Sequence, residues 1–444
     1  MVFATCALAI LMGTIDSTIV ATALPKIGDE LHSRLNWTGW VVTMYSLGMI
    51  VAMPIAGKIS DQFGRKKVFL ICVALFTASS LACGLSTSIY MLVPFRLIQA
   101  LGGGAFVPSA AGIIGDLFGK NRDRGIGAIS SIAPIGQITG PVVGGFITQY
   151  WVWRGIFFVN LPIGILLFFM AVHYLPNTKP RQREYLDFVG ISLLALTIVS
   201  GMLAMTMMGE QAMSPFNVRV VLPVVTTVVL GYCFMRHTRR SKAPFIPPRF
   251  IYGPKFALMN VMNFFYGTAL VGFATLVPLY AENRYHIPIS HAGTLMAARA
   301  VGAFSIAGLS TMMLRRLGYR LPMMVGFLVI AGGMTMIAIS PIGFTPYWWV
   351  ALFSLVVGMG VGCAAPATNN ATLQLAPENI AAITGLRGMF RQTGGIIYVS
   401  FTTALLARSL HPGLTQAYVF VAQAAILLLM AGLVRFVPDH RGTW

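Results

Sequence analysis

The group in this sequence best placed to do chemistry is Asp16. It sits in Gly13-Thr14-Ile15-Asp16-Ser17-Thr18-Ile19-Val20-Ala21-Thr22-Ala23-Leu24-Pro25, which closes an apolar run that begins at Val2 and is long enough to cross a bilayer. An ionised side chain at mid-membrane costs roughly 2.5–3.5 kcal/mol on insertion scales, so such an acid faces a wet cavity or a partner. Two readings follow: a structural Asp that caps a helix break or pairs with an Arg, or a group that binds a proton or cation. The second charge is Arg96, in Arg96-Leu97-Ile98-Gln99-Ala100-Leu101-Gly102-Gly103-Gly104. A guanidinium keeps its proton, so it needs an anion or backbone carbonyls beside it. Asp16 is the natural candidate, with a purely structural Arg as the competing view. Other chemistry finds no support. All seven His fall in connections or at span edges, and no His, Asp and Glu share metal-ligand spacing. The triple glycine has no strand before it and no Gly-Lys-Ser/Thr after it, so it is a packing device and not a phosphate cradle. No cofactor or metal is expected, and the energy for any transport must come from an ion gradient.

The elements that must hold these residues are membrane helices. Of 444 residues 57% are hydrophobic and 10% charged, and the mean hydropathy is +0.77, which marks an all-α integral membrane protein. Hydropathy places fourteen spans near 2–24, 38–57, 68–87, 90–115, 126–150, 155–175, 188–208, 218–236, 255–281, 291–314, 321–340, 346–370, 380–407 and 415–437. The first run lacks the basic region and cleavage site of a secretory leader, so it is expected to remain as a span. Even-numbered connections and the C-terminus hold most of the basic residues, among them Lys58, Arg65, Lys66, Lys67, Lys120, Arg124, Lys179, Arg181, Arg183, Arg239, Arg240, Lys242, Arg315, Arg316 and Arg441. The opposite face holds Lys26, Arg34, Arg154, Arg219, Arg284 and Arg408. The positive-inside rule then puts both termini in the cytoplasm of a cell-membrane protein. The net charge of +19 is topological, with contact to anionic membrane lipid, and nucleic acid is not an expected partner. Five Cys lie in apolar runs as packing residues. The connections are too short for a soluble enzyme or signalling domain, and no Ser/His set or paired acids suit a lipid-modifying enzyme.

The halves repeat. Gly102-Gly103-Gly104-Ala105-Phe106-Val107-Pro108 aligns with Gly360-Val361-Gly362-Cys363-Ala364-Ala365-Pro366 at an offset of 258, which also sets Gly127 on Gly385 and Gly136 on Gly394. The expected domains are a six-helix lobe at 1–176, inserted helices 7 and 8 with basic linkers at 177–254, and a second six-helix lobe at 255–444. Repeated halves around a midplane site are the plan of secondary transporters.

Several motifs carry a resemblance. Gly57-Lys58-Ile59-Ser60-Asp61-Gln62-Phe63-Gly64-Arg65-Lys66-Lys67 resembles the cytoplasmic-loop signature of the major facilitator superfamily, departing at Ile59 and Gln62. Its Asp61 is expected to bridge to an Arg or a helix end and latch the first lobe, with Gly57 and Gly64 making a tight turn and Arg65 and Lys66 the basic cluster. Arg96 and its surroundings resemble the fourth-helix motif, which implies a part in proton transfer. Gly136-Gln137-Ile138-Thr139-Gly140-Pro141-Val142-Val143-Gly144-Gly145 is similar to the antiporter motif of exporting branches. The stretch from Asp16 to Pro25, Trp153-Arg154-Gly155-Ile156-Phe157-Phe158-Val159-Asn160-Leu161-Pro162-Ile163-Gly164 and Arg391-Gln392-Thr393-Gly394-Gly395 resemble the fourteen-helix drug:proton antiporters of the quinolone and quaternary-ammonium branch. The resemblance implies the major facilitator fold and proton-coupled efflux of lipophilic small molecules by alternating access, with Asp16 taking and losing the proton. Gln137, Asn260, Arg299, Arg387 and Arg391 are further span residues with a substrate or structural part. One clear acid against four interior Arg favours monocations, zwitterions or neutral lipophiles. It also leaves room for a lipid, an amphiphilic anion or a specific metabolite drawn to Arg299, Arg387 and Arg391.

Overall fold

A chain this apolar must satisfy its backbone hydrogen bonds internally, and helices do so one segment at a time. The computed structural model describes residues 1–33, 35–118, 122–177, 187–208, 217–241, 244, 246–287, 292–341, 343, 345–406 and 408–439, and every regular element among them is a helix. Arg34, Lys120, Lys179, Arg181, Arg183, Lys242 and Arg441, used above for orientation, lie outside the described residues.

The helices are α1 (Val2–Glu30), α2 (Leu35–Phe63), α3 (Arg65–Gly84), α4 (Ile89–Gly103), α5 (Phe106–Phe118), α6 (Arg122–Ser130), α7 (Ile132–Tyr150), α8 (Gly155–Phe158), α9 (Asn160–Tyr174), α10 (Phe188–Met208), α11 (Val218–Arg240), α12 (Pro248–Tyr252), α13 (Pro254–Gly267), α14 (Phe273–Tyr285), α15 (Ala292–Leu317), α16 (Arg320–Ala338), α17 (Pro346–Leu373), α18 (Ile380–Leu406) and α19 (Pro412–Leu433). Among the described residues twelve helical spans are long and apolar enough to cross a membrane. The two other expected crossings coincide with α10, whose apolar stretch is Phe188–Gly201, and α18, which carries Arg387, Arg391 and Gln392. Twelve is thus the count by apolar length, and fourteen the count that includes both.

Several expected spans are not single uninterrupted α-helices. The fourth changes from α4 to α5 just after the triple glycine, and the fifth from α6 to α7 at Ser131. The ninth passes through a π-helical turn, Thr268–Gly272, between α13 and α14. The glycines lie where backbones touch: a methyl group on Gly102 would stand 2.7 Å from the Cys72 carbonyl oxygen, and one on Gly104 2.7 Å from Ala52. Small residues at such crossings replace the hydrophobic drive that lipid removes with van der Waals packing.

The described chain divides into two compact units. The first holds Met1–Glu184 and Ala376–Met389, the second Tyr185–Leu375 and Phe390–Trp444. In the first, α1 lies along α7, and Ile19, Val20, Ala23, Cys83, Leu92, Trp153 and Phe157 form a buried apolar cluster. In the second, α15 and α16 flank α17, α16 meets α19, and the core is rich in Met and aromatic side chains. Also in the second unit, α10 and α11 pack as a pair, joined by a 3.0 Å hydrogen bond from Thr227 to Ser200.

Candidate functional site

Asp16 and Arg96, 80 residues apart in sequence, meet inside the first unit. Asp16 is 0% exposed and Arg96 1%. Arg96 Nη1 donates to Asp16 Oδ2 at 2.8 Å and to Gln99 Oε1 at 2.8 Å. Gln99 lies one turn after Arg96 on α4, so both project from the same helix face, and its Nε2 donates to Asp16 Oδ1 at 3.0 Å. The same Oδ1 accepts from Asn160 Nδ2 at 2.7 Å. Asn160 is the first residue of α9. It is held there by the short α8, whose Phe157 is fully buried, while Asn160 Nδ2 also reaches Ser80 Oγ at 3.0 Å and Ser80 donates to the Phe157 carbonyl at 2.9 Å. Tyr45 of α2 places its ring 3.9 Å from the Arg96 guanidinium carbon, a cation–π contact. Four helices, α2, α3, α4 and α9, thus place polar or aromatic groups around the carboxylate that α1 supplies.

A buried pair of this kind is costly to desolvate and far more costly to break from one side, because the survivor keeps an uncompensated charge. Both Asp16 oxygens are occupied, and Arg96 Nε is left without a hydrogen-bond partner. Protonating Asp16 would remove the counter-charge of Arg96 and turn one acceptor oxygen into a donor facing N–H groups.

The antiporter-motif glycines support the helix that carries Asp16. Gly136, Gly140 and Gly144 of α7 face Thr14, Thr18 and Thr22 of α1, turn for turn. A methyl group on Gly140 would stand 3.0 Å from the Ile15 carbonyl oxygen, and one on Gly144 2.8 Å from that of Ile19. The three threonine hydroxyls bond back to carbonyls of their own helix, which lets the backbones approach without stranding a donor. Gly145 faces open space, so it lies outside this contact; Pro141 is within α7 and Gln137 is partly exposed.

In the loop signature the turn is a single residue, Gly64, with φ +95°, a conformation that favours glycine. Gly57 is inside α2 and takes no part in the turn. Arg65 bridges Asp61 at 3.1 Å and Asp116, at the end of α5, at 2.9 Å. Lys66 Nζ donates to the Val172 carbonyl in the last turn of α9 at 2.7 Å. Asp61 thus meets an Arg four residues away, and Asp116 is the partner that joins α3 to α5.

In the second unit, Asn260 Nδ2 donates to the Phe250 carbonyl at 2.8 Å, tying α13 to α12. Arg299 on α15 is buried and Arg391 on α18 partly so. Arg387 is buried on the part of α18 that groups with the first unit. Residues the sequence reading did not bring forward as site groups are Asn160, Gln99, Ser80 and Tyr45 in the first unit. In the second they are Gln416 and Gln423, which donate to the Leu276 carbonyl and to Thr268 Oγ1. They are neutral polar residues within apolar helices, a signal too common to single them out before their partners are known.

The sequence profile described as Major Facilitator Superfamily matches residues 6–399. The chain is 27% identical over 406 residues to the multidrug transporter protein MdtP of Bacillus subtilis (strain 168), covering 90% of this chain and 74% of that one. It is 29% identical over 408 residues to a multidrug resistance protein B homolog of Mycobacterium tuberculosis (strain ATCC 25618 / H37Rv), covering 90% and 75%. Among solved structures, the human organic anion transporter MFSD10 superposes with a TM-score of 0.70 at 14% identity, covering 98% of each chain. The proton:xylose symporter XylE gives 0.67 at 15%, covering 99% of this chain and 96% of its own. These two likenesses speak to the fold. With the profile match running over most of the sequence, the chain belongs to the Major Facilitator Superfamily: it is a multi-pass membrane transporter, not an enzyme.

Proposed function

We propose that this transporter is a proton-coupled exporter of lipophilic small molecules, working by alternating access between two lobes. The observation that carries the reading is the sealed Asp16 carboxylate, paired with Arg96 and tied to Gln99 and Asn160. Each protonation state of Asp16 favours a different arrangement of the helices that contact it. A proton and a substrate that bias the same two-state equilibrium in opposite directions are coupled. Facing outward, Asp16 takes a proton and substrate leaves; facing inward, it loses the proton and substrate binds again. The α1–α7 packing and the Arg65 bridges to Asp61 and Asp116 hold the first lobe rigid while it moves. Relatives named a multidrug transporter and a multidrug resistance protein support drug-like cargo.

The test is efflux of an ethidium-like dye from cells or vesicles carrying an imposed pH gradient. Wild type extrudes dye in proportion to the gradient, and Asp16→Asn loses gradient-driven extrusion. An Asp16→Asn protein that still pumped dye uphill on the acid gradient would end the reading. A second reading, export of a lipid, amphiphilic anion or specific metabolite by the same mechanism, is favoured by the second unit's buried arginine. Indifference to cationic dyes together with altered envelope lipids would select it.

A further inference from the structure

Protonating Asp16 leaves Arg96 as a buried guanidinium without its counter-charge, and an uncompensated charge in such a place is costly. Among the described contacts of that guanidinium, Asp16 is the one negative charge. Gln99 Oε1 remains at 2.8 Å, and Arg96 Nε has no hydrogen-bond partner. The other contacts are two aromatic rings. The Arg96 guanidinium carbon lies 3.9 Å from the centroid of the Tyr45 ring and 5.6 Å from that of Phe157. Both rings are buried, Tyr45 on α2 and Phe157 on α8. Two further titratable side chains face the pair, Tyr45 itself and Cys83 of α3, whose Sγ donates to Gln99 Oε1 at 3.7 Å. From α8 and α9 come the neutral side chains of Phe157 and Asn160.

The nearer ring is set by the packing of α2 on α4. A methyl group on Gly48, three residues after Tyr45, would stand 2.7 Å from the Cβ of Ala100 and 2.9 Å from the Leu97 carbonyl oxygen. The two backbones therefore touch beside Arg96, and Tyr45 is carried to its guanidinium. The middle glycine of the triple leaves room for the far end of the side chain: a methyl group on Gly103 would lie 3.2 Å from the Tyr45 oxygen. That hydroxyl donates to the Gly13 carbonyl at 3.5 Å, one turn before Asp16 on α1.

We propose that Tyr45 is a positioning residue for proton coupling, whose ring holds the Arg96 charge in place while Asp16 is protonated. The face of an aromatic ring attracts a cation through its quadrupole, and more strongly when the cation is desolvated. Against the intact ion pair, the opposite charge of the carboxylate offsets part of that attraction. Against a lone guanidinium it acts in full. A second carboxylate here would grip Arg96 equally in both states and would itself take up protons. The ring does neither, so Arg96 stays where Asp16 can meet it again when the proton leaves. The inference rests on the exporter reading for one point, that Asp16 changes its protonation state during transport.

The experiment is a double-mutant cycle read by thermal unfolding of the purified full-length protein in detergent, with no gradient and no dye. Tyr45→Leu and Tyr45→Phe are each made in the wild-type background and in Asp16→Asn, the neutral stand-in for the protonated acid. Tyr45→Leu should lower the melting temperature about 2–4 °C more in Asp16→Asn than in wild type. Tyr45→Phe, which keeps the ring, should cost the same in both. Equal losses for Tyr45→Leu in the two backgrounds make the ring a packing group and overturn the proposal. Tyr45→Phe behaving as Tyr45→Leu in Asp16→Asn assigns the effect to the hydroxyl and overturns it too. Where the double variant does not fold, gradient-driven dye efflux decides. Tyr45→Leu should lower it about tenfold and Tyr45→Phe restore most of the loss; equal rates for the two variants overturn the proposal. Because the cycle is read without transport, a wild type that failed to pump on a proton gradient would end the exporter reading and leave the cycle's result standing.

Discussion

At the scale of single residues, the carboxylate of Asp16 is held by more groups than a counter-ion alone requires. Arg96 supplies the opposite charge, and Gln99 and Asn160 fix the direction in which the carboxylate points. Removing Asn160 leaves the ion pair in place, with Oδ1 held by Gln99 alone and Ser80 by the Phe157 carbonyl alone. Asn160→Ala is therefore expected to lower the maximal rate of gradient-driven dye efflux about tenfold, the worth of one charge-assisted hydrogen bond, with little change in the dye concentration giving half-maximal rate. A variant that instead changed only the half-maximal concentration would place Asn160 with the substrate and not with the acid. The sequence made Asp16 and Arg96 conspicuous because charge inside an apolar run is rare. It did not single out Asn160, which lies 144 residues from Asp16 in the chain, since a neutral amide in a membrane helix is unremarkable until its partner is known.

Elements are placed by the spacing of small residues. Gly136, Gly140 and Gly144 recur every four residues on α7, and Thr14, Thr18 and Thr22 recur likewise on α1. The threonine row was available in the sequence, four apart and flanking Asp16, but it takes the partner helix to give it meaning. The repeat of the halves extends to this contact. Gly394, the residue aligned with Gly136, lies against the Phe264 carbonyl, so α18 packs on α13 by glycine as α7 packs on α1. The π-helical turn at Thr268–Gly272 was not legible, because it arises from how α13 continues into α14 and no residue type marks it. Gly140→Val pushes two methyl groups into the α1 backbone, and overpacking of this kind costs about 1–3 kcal/mol. The purified protein should melt at a lower temperature than wild type and lose dye efflux. Gly145→Val, in open space on the same helix, should change neither. Equal melting temperatures for the two variants would separate the antiporter motif from helix packing.

For the molecule as a whole, orientation and the number of crossings are one question, since each added crossing moves the next connection to the other side. Composition alone made a polytopic helical protein legible. The crossings at α10 and α18 were harder, the one short in apolar length and the other weakened by its arginines. If α1 starts in the cytoplasm, α3 runs outward from Lys67 to the connection at Thr87, between α3 and α4. If α10 and α11 both cross, Asn217 at the start of α11 stands outside and Lys255 at the start of α13 inside. Single cysteines at these four positions, in a background with the five native cysteines replaced, can be probed with an impermeant maleimide. Thr87→Cys and Asn217→Cys should label in intact cells, Lys67→Cys and Lys255→Cys only after permeabilisation. Labelling at Thr87→Cys but not Asn217→Cys would mean that the α10–α11 pair does not span, reducing the count to twelve. Labelling of Lys67→Cys from outside would invert the whole protein and with it the direction in which Asp16 meets the acidic face.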